Sequence, residues 1–272
     1  MKGIDIIIPI HEYNDNISSY LKRCLSSVKE MATKSLENDI KVDLHIVVKP
    51  EIPHDEIMNL IEWKEFNSFN VSENISGEFD FCSQVNFAVN NLCKNDYFMI
   101  VEFDDTVTSR WINMVLPYIE DKKKCPIFLP LTEVYDIIDT KKPINYMNEI
   151  AWSSAFVDNE LGVLNNSDLH EYCNFNITGA IINRNDFIKA GCLKPSIKLS
   201  FGYELLLRLT NLYKEIFVVP KVGYYHFVNR DGSLMSEYHK TMTAEEGSWW
   251  IKLATEEYQY KKDRKKTYGS GE

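Results

Sequence analysis

From Ile4 to Ile119 the chain repeats one alternation: a short apolar run, then a longer segment with apolar residues every three or four positions. Buried strands alternating with amphipathic helices make a mainly parallel sheet covered on its faces, so this rhythm restricts the fold strongly. Residues 4–8 form the first run, closed by Pro9, as expected of a strand buried on both sides. Ile17, Tyr20, Leu21, Cys24, Leu25, Val28 and Met31 follow at the spacing of a helix with one buried face. The same reading predicts strands at 42–48, 69–71 and 97–101, and a short helix at 55–61. It also predicts helices carrying Phe81, Val85, Ala88, Val89 and Leu92, and then Trp111, Ile112, Val115, Leu116 and Ile119.

From 122 to 176 the pattern dissolves into mixed aromatic and polar sequence, which reads as loop-rich and able to line a site. Regularity returns with a strand at 179–182, a helix at 203–213, a strand at 216–219 and a terminal helix at 243–266. In that last helix Trp249, Trp250, Leu253 and Tyr258 are the expected packing residues. With 272 residues and no internal repeat, the division expected is one α/β domain at 1–234 and a helical extension at 235–272 whose tail is basic and partly flexible.

No apolar run approaches the roughly 18–20 residues that span a bilayer, and the first one is too short and too early for a signal peptide. A cytoplasmic protein without a membrane partner is therefore expected. Six cysteines lie scattered with no C-x-x-C pair, which points to reduced, buried thiols. The formal charge of −10 disfavours a general nucleic-acid coat. A local basic run nevertheless ends the chain at Lys261, Lys262, Arg264, Lys265 and Lys266.

In parallel sheets, ligands gather beyond the carboxyl ends of the strands. Directly after 97–101 stand Glu102, Phe103, Asp104 and Asp105. On an extended chain Glu102 and Asp104 point the same way, and hard oxygen donors beside a diphosphate suit Mg²⁺ or Mn²⁺. The competing reading is a solvated turn or helix cap, which the tetrad alone does not exclude.

Ile6-Ile7-Ile8-Pro9-Ile10-His11-Glu12-Tyr13-Asn14 resembles the first strand and loop of the family-2 glycosyltransferases of GT-A fold, and the segments that follow resemble theirs in order. Asn74-Ile75-Ser76-Gly77, followed by Gln84-Val85-Asn86-Phe87-Ala88, is similar to their Asn/Gly loop and next helix. The segment 97–105 looks like their strand and D-x-D metal motif, with Glu102 in the first acidic place. Gly179-Ala180-Ile181-Ile182-Asn183-Arg184 resembles the strand beneath the acceptor pocket, and Phe201-Gly202-Tyr203-Glu204 opens what looks like the catalytic helix. Tyr224-Tyr225-His226 through Arg230-Asp231-Gly232-Ser233 resembles the closing aromatic, His/Arg and Ser segment. The likeness covers 4–234. It departs at Val48-Lys49-Pro50-Glu51, where an acid that holds the nucleotide is usual, and at Glu204, which stands without the customary acidic neighbour.

The resemblance implies a Rossmann-like, mixed and mainly parallel sheet flanked by helices. It implies an inverting, metal-assisted transfer of a hexosyl or pentosyl group from a nucleotide-diphosphate sugar to a hydroxyl acceptor, with Mn²⁺ or Mg²⁺ as cofactor. Glu204 is then the candidate base, since burial among Leu, Tyr and Phe tunes a carboxylate for proton transfer; Asp168 and Glu171 are rivals. Glu102, Asp104, Asp105 and His226 are the candidate metal ligands, and Arg230 the phosphate contact. Pro9, His11, Tyr13, Asn14, Asn86, Glu102 and Asp104 would meet the nucleotide, although Asn14 also reads as a helix N-cap. Trp152, Thr178 and Gly179 would meet the acceptor, and Trp152, Trp111, Tyr135 and Tyr146 could stack on sugar rings, although aromatics near an irregular segment also read as core.

The C-terminal run Glu245-Glu246-Gly247-Ser248-Trp249-Trp250, with its basic end, resembles glycosyltransferases encoded by tailed bacteriophages. That likeness implies a hydroxymethylated cytosine of DNA as acceptor, beside glycans as the other class. Two further readings of the same fold are a nucleotidyltransferase, against which the Gly-free first loop 11–16 counts, and a binding module without turnover.

Overall fold

The computed structural model describes residues 1–153, 160–197, 199–230, 232–233, 241 and 243–268, with side chains up to residue 256. The chain opens with β1 (Gly3–Ile10), whose residues are all buried, and α1 (Asp15–Ser35). β2 (Lys41–Val48), α2 (His54–Met58), β3 (Ser68–Glu73) and α3 (Phe81–Asn91) follow. β4 (Tyr97–Ile100), β5 (Thr106–Val107) and α4 (Trp111–Asp121) complete the first half. The second half holds β6 (Ile127–Asp136), β7 (Asn145–Met147), β8 (Val163–Asn165) and α5 (Asn166–Glu171). After these come β9 (Ile181–Asn183), α6 (Arg184–Lys189), α7 (Phe201–Tyr213), β10 (Glu215–Val228) and α8 (Ala244–Tyr268).

These strands form one sheet in the order β3-β2-β1-β4-β9-β6-β10-β5, with β7 beside β6 and β8 beside β10. β1 runs parallel to β2 and β4, and β2 parallel to β3. β9 is antiparallel to both β4 and β6, and β10 is parallel to β6. Two reversals restore direction, so β1 to β4, β6 and β10 all end at one edge, as a mixed, mainly parallel sheet requires.

Alternation along β1 explains the two layers. Ile4, Ile6, Ile8 and Ile10 pack with α1 and α4, whereas Ile7 joins the opposite core under α3, α6 and α7. α8 lies on α7: the Ser200 hydroxyl donates to the Trp250 carbonyl at 2.9 Å, and Ala254 is fully buried. Trp249 and Leu253, expected to pack, are exposed instead (52% and 38%). The side chain of Tyr258 and the 234/235 boundary lie outside the described residues.

The region expected to be loop-rich contains β6, ten residues long. Pro130 hides it in the sequence, because proline removes a ladder donor and argues against a central strand. Here it falls between ladders: β9 pairs with Ile127 and Phe128, β7 with residues from Thr132 onward, and the β10 register shifts between Leu129 and Leu131. β10 likewise runs nine residues past the predicted end at 219. It passes Pro220 and then Gly223, where a Cβ would come within 2.4 Å of Trp111. Among the described residues all six cysteines are free, four of them buried, and no helix is long and apolar enough to cross a membrane.

Candidate active site

β4 stops at Ile100, and Val101 still donates to the Ile7 carbonyl at 2.9 Å. The chain then turns, with the Asp105 amide donating to the Glu102 carbonyl at 3.1 Å. A turn joins first and fourth residues, so the partner of Glu102 is Asp105; the extended geometry that would align it with Asp104 does not form. Ligand atoms of Glu102, Asp105 and His226 all lie within 4.8 Å of one another. His226, near the end of β10, places Nδ1 2.8 Å from Asp105 Oδ2, and the Phe227 amide donates to Asp105 Oδ1 at 2.8 Å. Asp104 turns aside to Arg230, whose Nε donates to its Oδ2 at 2.7 Å. The same guanidinium donates from Nη1 to Glu12 Oε1 at 2.9 Å and lies 5.1 Å from the Phe103 ring.

Two elements hold this turn from beneath. On α1, Arg23 Nη2 donates to the Asp104 carbonyl at 2.6 Å, Cys24 Sγ donates to the Glu102 carbonyl at 3.4 Å, and Ser27 Oγ accepts from the Val107 amide at 3.1 Å. On β10, the buried Tyr224 hydroxyl accepts from the Glu102 amide at 3.0 Å. Gly179 makes room for that ring: its φ is +76°, and a Cβ there would lie 2.5 Å from Tyr224. Arg23 is not marked by any motif, and Glu12 and Tyr224 stand in the sequence motifs with no role of their own. Arg23 sits on a helix whose neighbouring apolar residues signal packing alone, and nothing local to residue 224 reveals its reach to residue 102.

The electrostatics follow from crowding acids away from water. Burial pushes the Glu102 carboxyl up to about 8, with Asp105 and Asp104 adding to the shift against His226 and Arg230. Burial and Asp105 likewise raise Asp104, against the pull of Arg230. For His226 burial opposes the charged ring, but Asp105, Glu102 and Asp104 overcome it and carry the imidazole up to about 10. His11, 5.6 Å from the Phe103 ring, is lowered by burial in spite of Glu12 beside it.

Other expected site residues have structural duties here. Asn14 is the N-cap of α1, accepting from the Ile17 amide. Pro9 is buried within β1, and Tyr13 packs half-buried against the core. The Asn86 amide clamps Leu193, donating to its carbonyl at 2.8 Å and accepting from its amide at 2.9 Å. Thr178 is buried, with its hydroxyl on Asn176, and the Gly179 carbonyl accepts from Trp111 at 2.7 Å.

Trp152 donates to the Val218 carbonyl at 3.1 Å and packs edge-on to Phe217. Those partners lie eight and nine residues before His226 on β10, roughly 25–30 Å along the strand. Glu204, the candidate base, lies in the first turn of α7. It is fully buried, with Oε2 on Arg208 at 2.6 Å and Oε1 on Lys194 at 2.9 Å. Rather than a lone acid in an apolar run, it is buried between Arg208, itself buried, and the partly exposed Lys194. Of its rivals, Asp168 completes the capping box of α5, and Glu171 is exposed at that helix's end. Asp231 lies outside the described residues.

A second group of ligand atoms, on Asp5, His45 and Cys93, is buried in the same sheet. Its polar atoms are already matched: Asp5 meets His45 Nε2 at 2.7 Å and the amides of Lys94 and Asn95, and His45 Nδ1 meets Asn70. Burial raises the Cys93 thiol. The group ties β1, β2 and β3 to the start of β4.

The sheet, with its acidic turn at the carboxyl edge, defines the GT-A fold, and solved structures agree. S. aureus TarS residues 1–349 superposes with a TM-score of 0.55 at 13% identity, covering 84% of this chain and 60% of that one. The same protein in complex with UDP-GlcNAc gives 0.57 at 13% identity, covering 87% and 61%. TarS in complex with UDP gives 0.58 at 11% identity, covering 84% and 61%. The chain thus spans about three fifths of the length of these structures. No protein-family model matches it, and no curated protein does.

Proposed function

We propose that this chain is a glycosyltransferase that moves a sugar from a nucleoside-diphosphate sugar to a hydroxyl acceptor with the help of a divalent cation. The trio Glu102, Asp105 and His226, gathered where β4 and β10 end in a GT-A sheet, carries the reading. Two carboxylates and an imidazole fit Mn²⁺ and, less well, Mg²⁺. TarS has been solved with UDP and with UDP-GlcNAc, which supports a nucleoside-diphosphate sugar as donor.

Bound by the trio, the cation would offset the charge of the departing diphosphate. Arg230 brings a second positive charge to that place, oriented by Asp104 and Glu12. Asp105 fixes the His226 ring through Nδ1, so that Nε2 is the atom left to face a ligand. His11, half-exposed beside Phe103, borders the same turn and serves the nucleotide. The displacement is direct and inverts the anomeric carbon. The group that takes the acceptor proton must stand in the open site, which Glu204, enclosed by Arg208 and Lys194, does not. Residues 1–234 carry the transfer, and 235–272 form an appendage docked through α8. The basic run 261–266, on which a DNA acceptor rests, has side chains outside the described residues.

The test is incubation with a panel of nucleotide sugars and Mn²⁺. Release of nucleoside diphosphate, lost on chelation, is expected. Pyrophosphate-dependent formation of nucleoside triphosphate would indicate a nucleotidyltransferase instead, and binding without release a module that lacks turnover.

A further inference from the structure

Beside the acidic turn lies an aromatic strip that the site described above does not use. Tyr225 and Phe227 alternate with His226 along β10, so they project from the opposite face of the sheet. Tyr225 is in register with Glu133 and Phe227 with Tyr135, while Glu133 also faces Tyr146 of β7. Residues in register share a face, and three neighbouring strands thereby gather four aromatic rings around one carboxylate. The Tyr135 ring is 5.8 Å from Phe227, stacked at 28°, and 6.1 Å from Tyr225. Its hydroxyl donates to Glu133 Oε2 at 2.7 Å. The strip is open to solvent: Tyr146 is 45% exposed, and the other members are half-buried. Its inner end reaches the underside of the acidic turn, where Arg23 lies 3.9 Å over the Phe227 ring while donating to the Asp104 carbonyl, so an acceptor lying on the strip comes to the trio round the end of β10.

We infer that this strip holds the acceptor, and that the acceptor is a chain of neutral sugars; the inference rests on glycosyl transfer at the acidic turn. Half-exposed tyrosine faces suit the apolar faces of sugar rings, and the phenol hydroxyls and Glu133 suit their hydroxyl groups. Charge selects against a phosphate polymer. Glu133 is the charged member of the strip, and Arg23, a cation at its edge, lies over Phe227 and donates to the Asp104 carbonyl. Three strands span about 10 Å, wider than one hexose ring, so more than one sugar unit is engaged.

The test uses full-length wild type, Tyr146→Ala and the double variant Tyr135→Ala/Tyr146→Ala. Melting curves check that the variants are folded. Binding of neutral trisaccharides of glucose, galactose and N-acetylglucosamine is followed by saturation-transfer NMR and titration calorimetry, without donor or metal. Binding of UDP-GlcNAc with Mn²⁺ is measured alongside. Wild type should bind at least one trisaccharide, the double variant about tenfold more weakly, and donor binding should be the same in all three. Trisaccharide binding unchanged in the double variant, or absent from wild type, overturns the inference. So does single-stranded DNA that binds wild type and loses affinity with the two tyrosines. Failure of wild type to bind any nucleotide sugar, with trisaccharide binding intact, instead removes the transfer reading and with it the role of acceptor.

Discussion

Glu102 and His226 meet across the acidic turn with more protons than a cation site can keep. Burial first, then Asp105 and Asp104, holds Glu102 protonated up to about pH 8. The same acids outweigh burial and keep His226 charged up to about pH 10. Both raised values act in one direction: a cation must displace protons, so its affinity climbs as pH rises through neutrality and falls in acid. Titration calorimetry of Mn²⁺ at pH 7 in buffers of different ionisation enthalpy should show net proton release, diminished in His226→Ala. Asp105→Asn should weaken Mn²⁺ binding roughly 10–100-fold, since it loses a ligand and the anchor of His226 together. Asp104→Asn, whose carboxylate is spent on Arg230, should weaken it much less, and equilibrium dialysis with both variants checks the order. The acids themselves were legible in the sequence. Their pairing was not, because four residues alone fit both an extended end, which aligns Glu102 with Asp104, and a turn, which brings Glu102 to Asp105.

At the scale of elements, α7 and β10 show how a role is set by what surrounds a residue. Glu204 opens α7 as a resembling catalytic helix would, but Arg208 one turn on and Lys194 from a preceding segment enclose it. Glu204→Gln should therefore destabilise the fold by about 3–5 kcal/mol, the cost of taking the carboxylate away from the buried Arg208. Chemical denaturation should show a lower midpoint, and any activity lost should follow the folded fraction. A fully folded, inactive Glu204→Gln variant would restore the residue to catalysis. The one-turn spacing to Arg208 could be read from sequence, whereas Lys194 could not, since only the fold carries it there. β6 and β10 were cut short for a different reason. Pro130, Pro220 and Gly223 are strand breakers by propensity, and here they fall where the register between the two strands shifts. Tertiary pairing on either side of each breaker outweighs the local preference.

For the whole molecule, the decisive property is direction. The antiparallel β9 between β4 and β6 lets strands from both halves of the chain end at one edge, so residues 121 and 126 positions apart meet: Asp105 with His226, Asp104 with Arg230. The alternating first half and the ordered motifs made this sheet foreseeable. Sequence is least informative about the acceptor: Trp152 bonds Val218 of β10 far from His226, and Thr178 and Gly179 are packed beneath Tyr224 or bound within the core. Aromatic content alone does not reveal which end of a strand a ring occupies. The proposed transfer depends most on a cation seated among Glu102, Asp105 and His226. Crystals soaked with MnCl₂ and a nucleoside diphosphate, with data collected at the manganese edge, test it directly. One anomalous peak bounded by those three side chains is the predicted result. A peak elsewhere, or none while the diphosphate is seen bound at the turn, would contradict it.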